Sequence, residues 1–163
     1  MTSCCLVPNR EEAPSVSRCP VCGQPAKKVK RLTVEALLRP AAVPQIGATQ
    51  YYFCETTACS VVYFPYDDGA ALFRQSDLAV RVGLKQTADP VPLCYCFGIT
   101  QKDVRKEIQE TGTSTAVQRI KTEVQAGNCT CETKNPSGKC CLGNVTQAVQ
   151  QALRTFRSVA VSD

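Results

Sequence analysis

The 163-residue chain has twelve cysteines and no histidine, and most of the cysteines fall in short pairs. Cys94-Tyr-Cys96 and Cys129-Thr-Cys131 are Cys-X-Cys pairs, and a Gly/Pro-containing turn leads from the second to Cys140-Cys141. A Cys-X-Cys pair closes a poor disulfide with itself. Neighbouring side chains on a strand point to opposite faces, and the bond demands a narrow dihedral. On a loop, both sulfurs can face one metal centre. Two such pairs, brought together by the intervening segment, can supply the four thiolates of a 2Fe-2S cluster.

A second set lies upstream. Cys19-Pro-Val-Cys22-Gly is a tight Cys-X2-Cys knuckle, and Cys54 and Cys59 form a Cys-X4-Cys after the aromatic run Tyr51-Tyr52-Phe53. Two close pairs separated by a longer stretch have the form of a structural Cys4 zinc site. Such a site is closed, with no open position for substrate, and its expected work is folding. A third pair, Cys4-Cys5, offers adjacent thiols to a soft ion such as Cu(I) or Hg(II).

Composition narrows the chemistry further. Without histidine there is no Ser-His-Asp triad, no His-ligated zinc and no Rieske-type mixed site. No glycine-rich phosphate loop or paired carboxylates stand out, and Asp67-Asp68-Gly69 reads as a turn, so no enzyme is expected. The amino terminus lacks the basic-then-apolar order of a secretory signal, and no stretch suits a bilayer span. The expectation is a cytoplasmic protein without membrane insertion, whose thiols stay reduced and bind metal. The formal charge of +5 shrinks once thiolates hold cations, which leaves too little cationic surface for nucleic acid. The basic run Lys27 to Arg31 reads as a solvated strand face.

The elements that must position these sulfurs give an α+β fold: a small zinc-centred β unit followed by a helical, helix-turn-helix unit that binds 2Fe-2S. Residues 1–18 read as a flexible tail, 19–85 as the zinc-binding unit, 86–93 as a Pro-containing linker and 94–163 as the cluster-binding unit. In the first unit the pattern predicts a strand over 28–33, a short helix capped by Thr33 and ending at Leu38, a buried strand over 61–64 and another over 71–73. In the second, Thr100 with Asp103 has the form of a helix start, and the helix stops at Gly112. A helix over 114–124 is expected to bury Val117, Ile120 and Val124. Another over 145–159 carries Val145, Val149, Ala152, Leu153 and Phe156 at helical spacing. Cys140 and Cys141 would sit near its amino terminus, where the helix dipole favours thiolate.

Cys94-Tyr-Cys96, then Asn135-Pro-Ser-Gly138 ahead of Cys140-Cys141, resembles the amino-terminal domain of CopZ-type copper chaperones. The likeness continues upstream in Cys19-Pro-Val-Cys22, Tyr52-Phe53-Cys54, Cys59, Val62-Tyr63-Phe64 and Arg81-Val82-Gly83, and spans about residues 19 to 145. The cluster half is also similar to bacterioferritin-associated ferredoxin, from which the insertion around Asn135 to Gly138 departs. The resemblance implies zinc at Cys19, Cys22, Cys54 and Cys59, and 2Fe-2S ligation by Cys94, Cys96, Cys131 and Cys141, with Cys129 and Cys140 as alternates. The Met-X-Cys-X-X-Cys loop of the archaeal chaperone does not occur in the sequence, so copper is expected at Cys4-Cys5 or at the spare thiols.

The expected function is metal-homeostasis accessory work. A copper chaperone or Cu(II)-to-Cu(I) reductant would hold zinc and a 2Fe-2S cluster and serve a copper transporter or redox partner protein. The alternatives are a ferredoxin-like electron carrier without cargo and a mercury-handling protein.

Overall fold

The computed structural model of the protein describes residues 12–162. Its first half is built on an antiparallel five-stranded meander. The strands are β1 (Val16–Arg18), β2 (Pro25–Val29), β3 (Tyr51–Phe53), β4 (Val61–Pro65) and β5 (Phe73–Arg74), hydrogen-bonded in sequence order. A helix, α1 (Arg31–Leu37), follows β2.

The Cys19–Gly23 knuckle is the turn of the first hairpin. Gly23 takes φ +72°, which an L side chain rarely adopts, and its N–H donates to the Cys19 carbonyl at 2.8 Å. Because this turn folds the chain straight back, Ser17 pairs with Ala26. The sheet therefore begins at Val16, inside the stretch expected as a tail. For the same reason β2 precedes the strand expected over 28–33, and α1 starts at Arg31 instead of being capped by Thr33. Thr33 lies fully buried within the helix. The strand expected over 71–73 is Phe73–Arg74, since the Ala71 carbonyl accepts from Tyr51 Oη at 3.0 Å.

Side-chain alternation divides the aromatic residues between two faces of this sheet. On one face Tyr51, Phe53, Tyr63 and Phe73 pack with Val34, Leu38, Leu78 and Val82. On the other Tyr52 stacks on Phe64, ring centroids 5.4 Å apart, among Cys19, Cys54 and Cys59. The aromatic run is core, and the sulfurs sit against it.

The second half opens with a two-stranded ribbon, β6 (Pro92–Cys94) and β7 (Ile99–Thr100). Pro92 and Leu93, expected at the end of a linker, are strand residues. Helices α2 (Gln101–Thr111), α3 (Ala116–Gln125), α4 (Cys131–Lys134) and α5 (Leu142–Ala160) follow. Thr100 and Asp103 form the expected capping box: Thr100 N donates to Asp103 Oδ2 at 2.9 Å, and Asp103 N to Thr100 Oγ1 at 3.2 Å. Val104, Ile108, Ala116, Ile120, Val145 and Val149 close the core over Cys94 and Cys141. Val124 was expected inside this core and is 38% exposed. The buried stripe of α3 is Ala116 and Ile120, because the helix starts with Ala116 already packed. Phe156 is likewise 37% exposed, in the carboxy-terminal half of α5.

The halves are held together at several points. Tyr63 Oη donates to the Pro136 carbonyl, and α1 packs against α4 with Lys30 paired to Glu132. The turn before Cys140 is self-bonded: Ser137 N and Oγ both donate to Asn135 Oδ1, and Asn135 Nδ2 donates to the Lys139 carbonyl. No helix among the described residues is long and apolar enough to cross a membrane.

Candidate metal centres

The first centre is built by two loops at one end of the sheet. The β1–β2 turn presents Cys19 and Cys22, and the β3–β4 loop presents Cys54 and Cys59. The four Sγ atoms all lie within 4.8 Å of one another. Cys19 and Cys59 are 3.9 Å apart, and Cys22 and Cys54 are 3.7 Å apart. Zinc–sulfur bonds of about 2.3 Å on a tetrahedron place sulfurs about 3.8 Å apart, so the donor set fits zinc. Burial pushes the Cys54 thiol up to about 12 and raises Cys19 as well. Cys22, against the Thr56 hydroxyl at 3.4 Å, is lowered to about 6. Buried thiols of this kind do not all ionise without a cation among them.

Two residues that the sequence did not single out complete this centre. Thr56 contacts Cys22, and Lys85 Nζ donates to the Thr56 carbonyl at 2.7 Å and the Cys59 carbonyl at 3.0 Å. Lys85 fixes the Cys54–Cys59 loop and brings positive charge to a site of thiolates. Nothing in local sequence marks it, since it arrives on a 3-10 turn well downstream of the cysteines.

The second centre gathers sulfurs from three places. Cys94 ends β6, Cys96 lies in the β6–β7 turn, Cys129 and Cys131 lead into α4, and Cys141 is the N-cap residue of α5. Cys96, Cys129 and Cys131 have Sγ atoms within 4.8 Å of one another, with Cys96 to Cys131 at 3.6 Å and Cys129 to Cys131 at 2.9 Å. Cys94 and Cys141 are both buried in the same core cluster. The Cys141 thiol lowers Cys94 to about 6, and the Cys94 thiol together with burial pushes Cys141 well above the usual thiol range. Burial raises Cys131 likewise, while its hydrogen bond to Cys129 lowers the latter. Thr130 N donates to Cys96 Sγ at 3.4 Å. An all-sulfur set with a backbone N–H turned toward it fits the chemistry of an iron–sulfur cluster.

The expected residues are thus distributed unevenly. Of the alternates, Cys129 joins the sulfur set and Cys140 is exposed to solvent. Cys4 and Cys5 lie outside the described residues. Tyr95, between Cys94 and Cys96, also went unremarked: its hydroxyl accepts from Gly83 N at 2.8 Å and donates to the Arg81 carbonyl at 3.0 Å, tying the second centre to the segment that carries Lys85.

Comparison with known proteins adds three results. The CopZ zinc-binding domain family matches residues 16–79. The copper chaperone CopZ of Archaeoglobus fulgidus is 36% identical over 124 residues, 76% of this chain and 57% of that protein. The chain therefore spans little more than half the length of that relative. The X-ray structure of the Archaeoglobus fulgidus CopZ N-terminal domain is similar with a TM-score of 0.67 at 33% identity, covering 80% of this chain and 96% of that one.

Proposed function

The chain belongs to the family of CopZ amino-terminal domains, and from that premise we propose that it is a metal-handling protein with two resident centres. Zinc is held by Cys19, Cys22, Cys54 and Cys59. A 2Fe-2S cluster is held by Cys94, Cys96, Cys131 and Cys141. The observation that supports this most directly is the presence of two separate all-sulfur sets, one packed against the sheet and one at the base of the helices.

The zinc set serves the fold, since four sulfur ligands leave no open position. When bound, the cluster supplies one electron at a time, which suits reduction of Cu(II) to the Cu(I) that thiolates retain best. The chain's own residues orient it: α5 begins at Cys141, the Thr130 N–H reaches Cys96, and the Cys94–Cys141 pair is shielded by Val104, Ile108 and Val145. Cu(I) is taken by Cys4 and Cys5, and a copper transporter or redox partner receives the product.

The test is metal and sulfide analysis with visible absorption on protein purified without oxygen, followed by Cu(I) titration. Zinc, iron and sulfide together, with stoichiometric Cu(I) binding that is lost in Cys4→Ser/Cys5→Ser, are expected. A colourless protein with its thiols paired as disulfides overturns both centres, and no Cu(I) uptake in either form removes the copper role.

A further inference from the structure

Three sulfurs, those of Cys96, Cys129 and Cys131, lie within 4.8 Å of one another beside the core that buries Cys94 and Cys141, so Cys129 is one sulfur more than the four that a 2Fe-2S cluster takes from a protein. Cys94 and Cys141 are the inner pair, and Cys96, Cys129 and Cys131 are the outer trio. Resting on the cluster reading above, we propose that Cys129 and Cys131 are interchangeable ligands for a single coordination position, so that the cage survives the loss of either sulfur.

The geometry of this short segment carries the proposal. Cys129 Sγ and Cys131 Sγ are 2.9 Å apart, and both are within 4.8 Å of Cys96 Sγ. The residue between them is pinned, because Thr130 N donates to Cys96 Sγ at 3.4 Å. The two sulfurs flank one fixed point on the same loop. Cys131 opens α4, which packs on α1, whereas Cys129 precedes the helix and is only half-buried. Cys140, exposed and outside the trio, has no such position.

The exchange balances without an oxidant. As one sulfur takes the position the other leaves it, and the proton of the incoming thiol passes to the outgoing thiolate beside it. One metal–sulfur bond forms, one breaks, and no electron is transferred.

The experiment uses the full chain, reconstituted with iron and sulfide without oxygen, as wild type, Cys129→Ser, Cys131→Ser and the double variant. Both single variants are expected to keep iron and sulfide close to wild type, with different visible circular dichroism, and the double variant to lose them. Brief iodoacetamide treatment of the loaded wild type, read by peptide mass, is expected to divide one label between Cys129 and Cys131. Zinc content reports folding in every variant. A Cys131→Ser protein that keeps zinc and loses iron while Cys129→Ser matches wild type overturns the proposal, as does label confined to Cys129. Wild type that holds zinc but takes up no iron overturns the cluster reading itself, and the exchange with it.

Discussion

Tyr63 Oη donates a hydrogen bond to the Pro136 carbonyl at 2.6 Å, joining β4 of the sheet to the turn that delivers Cys140 and Cys141. The two residues are far apart in sequence and the contact is buried. Burial raises the Tyr63 phenol well above its ordinary range, so it remains a donor.

Tyr63→Phe is expected to destabilise the protein by about 1–3 kcal/mol, because the Pro136 carbonyl is left buried without its donor. Urea unfolding of zinc-loaded protein measures this. A folded pKa above the unfolded value means the contribution is fully present below about pH 10 and fades as pH rises beyond it. The gap between wild type and variant should therefore be constant from neutral pH to mildly alkaline pH. A variant as stable as wild type would show that the carbonyl finds another partner.

Gly138→Ala acts on the same turn from the other side. Gly138 has φ +69°, and a Cβ there would lie 2.8 Å from Thr33 Oγ1. The left-handed backbone alone costs about 1–2 kcal/mol for a residue with a side chain, before the contact with α1 is counted. The thermal midpoint is expected to fall, with iron lost more readily than zinc, because the turn leads into Cys141. Adding Thr33→Ser, which removes the methyl group and keeps the hydroxyl, should not rescue it.

Lys85→Met keeps the stem and removes the ammonium that holds the Thr56 and Cys59 carbonyls. Groups that orient metal ligands typically account for about 10- to 100-fold in affinity. Zinc is therefore expected to transfer to a chromophoric chelator at least about tenfold faster than from wild type. Unchanged transfer would reduce Lys85 to a surface tether.

Glu107 caps a helix that it does not belong to. Its carboxylate accepts from Ser114 Oγ, Thr115 N and Thr115 Oγ1, at 2.8, 3.0 and 2.6 Å, and so serves the start of α3 from α2. The Thr115 hydroxyl and then its N–H hold the carboxyl below the usual range. Glu107→Gln is expected to cost about 1 kcal/mol near neutral pH, the worth of a cap. The depressed pKa places that stability above the unfolded value near pH 4.3, and it is lost as pH falls through the folded one. Chemical unfolding of wild type and variant should thus converge in acid and differ at pH 7.

Features with a local cause were legible in the sequence. The Thr100–Asp103 cap, the stop at Gly112 and the core role of Tyr51, Tyr52, Tyr63, Phe64 and Phe73 need only neighbouring residues or alternation to be read. The cysteine spacing likewise groups Cys19, Cys22, Cys54 and Cys59, whose four sulfurs lie within 4.8 Å of one another. What escaped depends on partners distant in the chain. The strand Val16–Arg18 exists only because the knuckle folds it onto Pro25–Val29, and β2 is displaced from its expected span by the same turn. Lys85 and Tyr95 act through backbone carbonyls and N–H groups, which carry no side-chain signature. Spacing leaves Cys129 as an alternate to Cys131, because it does not say whether two sulfurs on one short loop face the same way, and in the structure they lie 2.9 Å apart.

Cys94 stands at the entrance to the helical half and Cys141 at the foot of its last helix, so the inner sulfurs meet only after the whole half has closed. A growing polypeptide cannot bring those two sulfurs together until synthesis has passed Cys141. The Cys19–Cys59 loops, by contrast, are complete once the third and fourth strands have emerged. The ion that steadies the sheet can be captured early, before the helical half has been made.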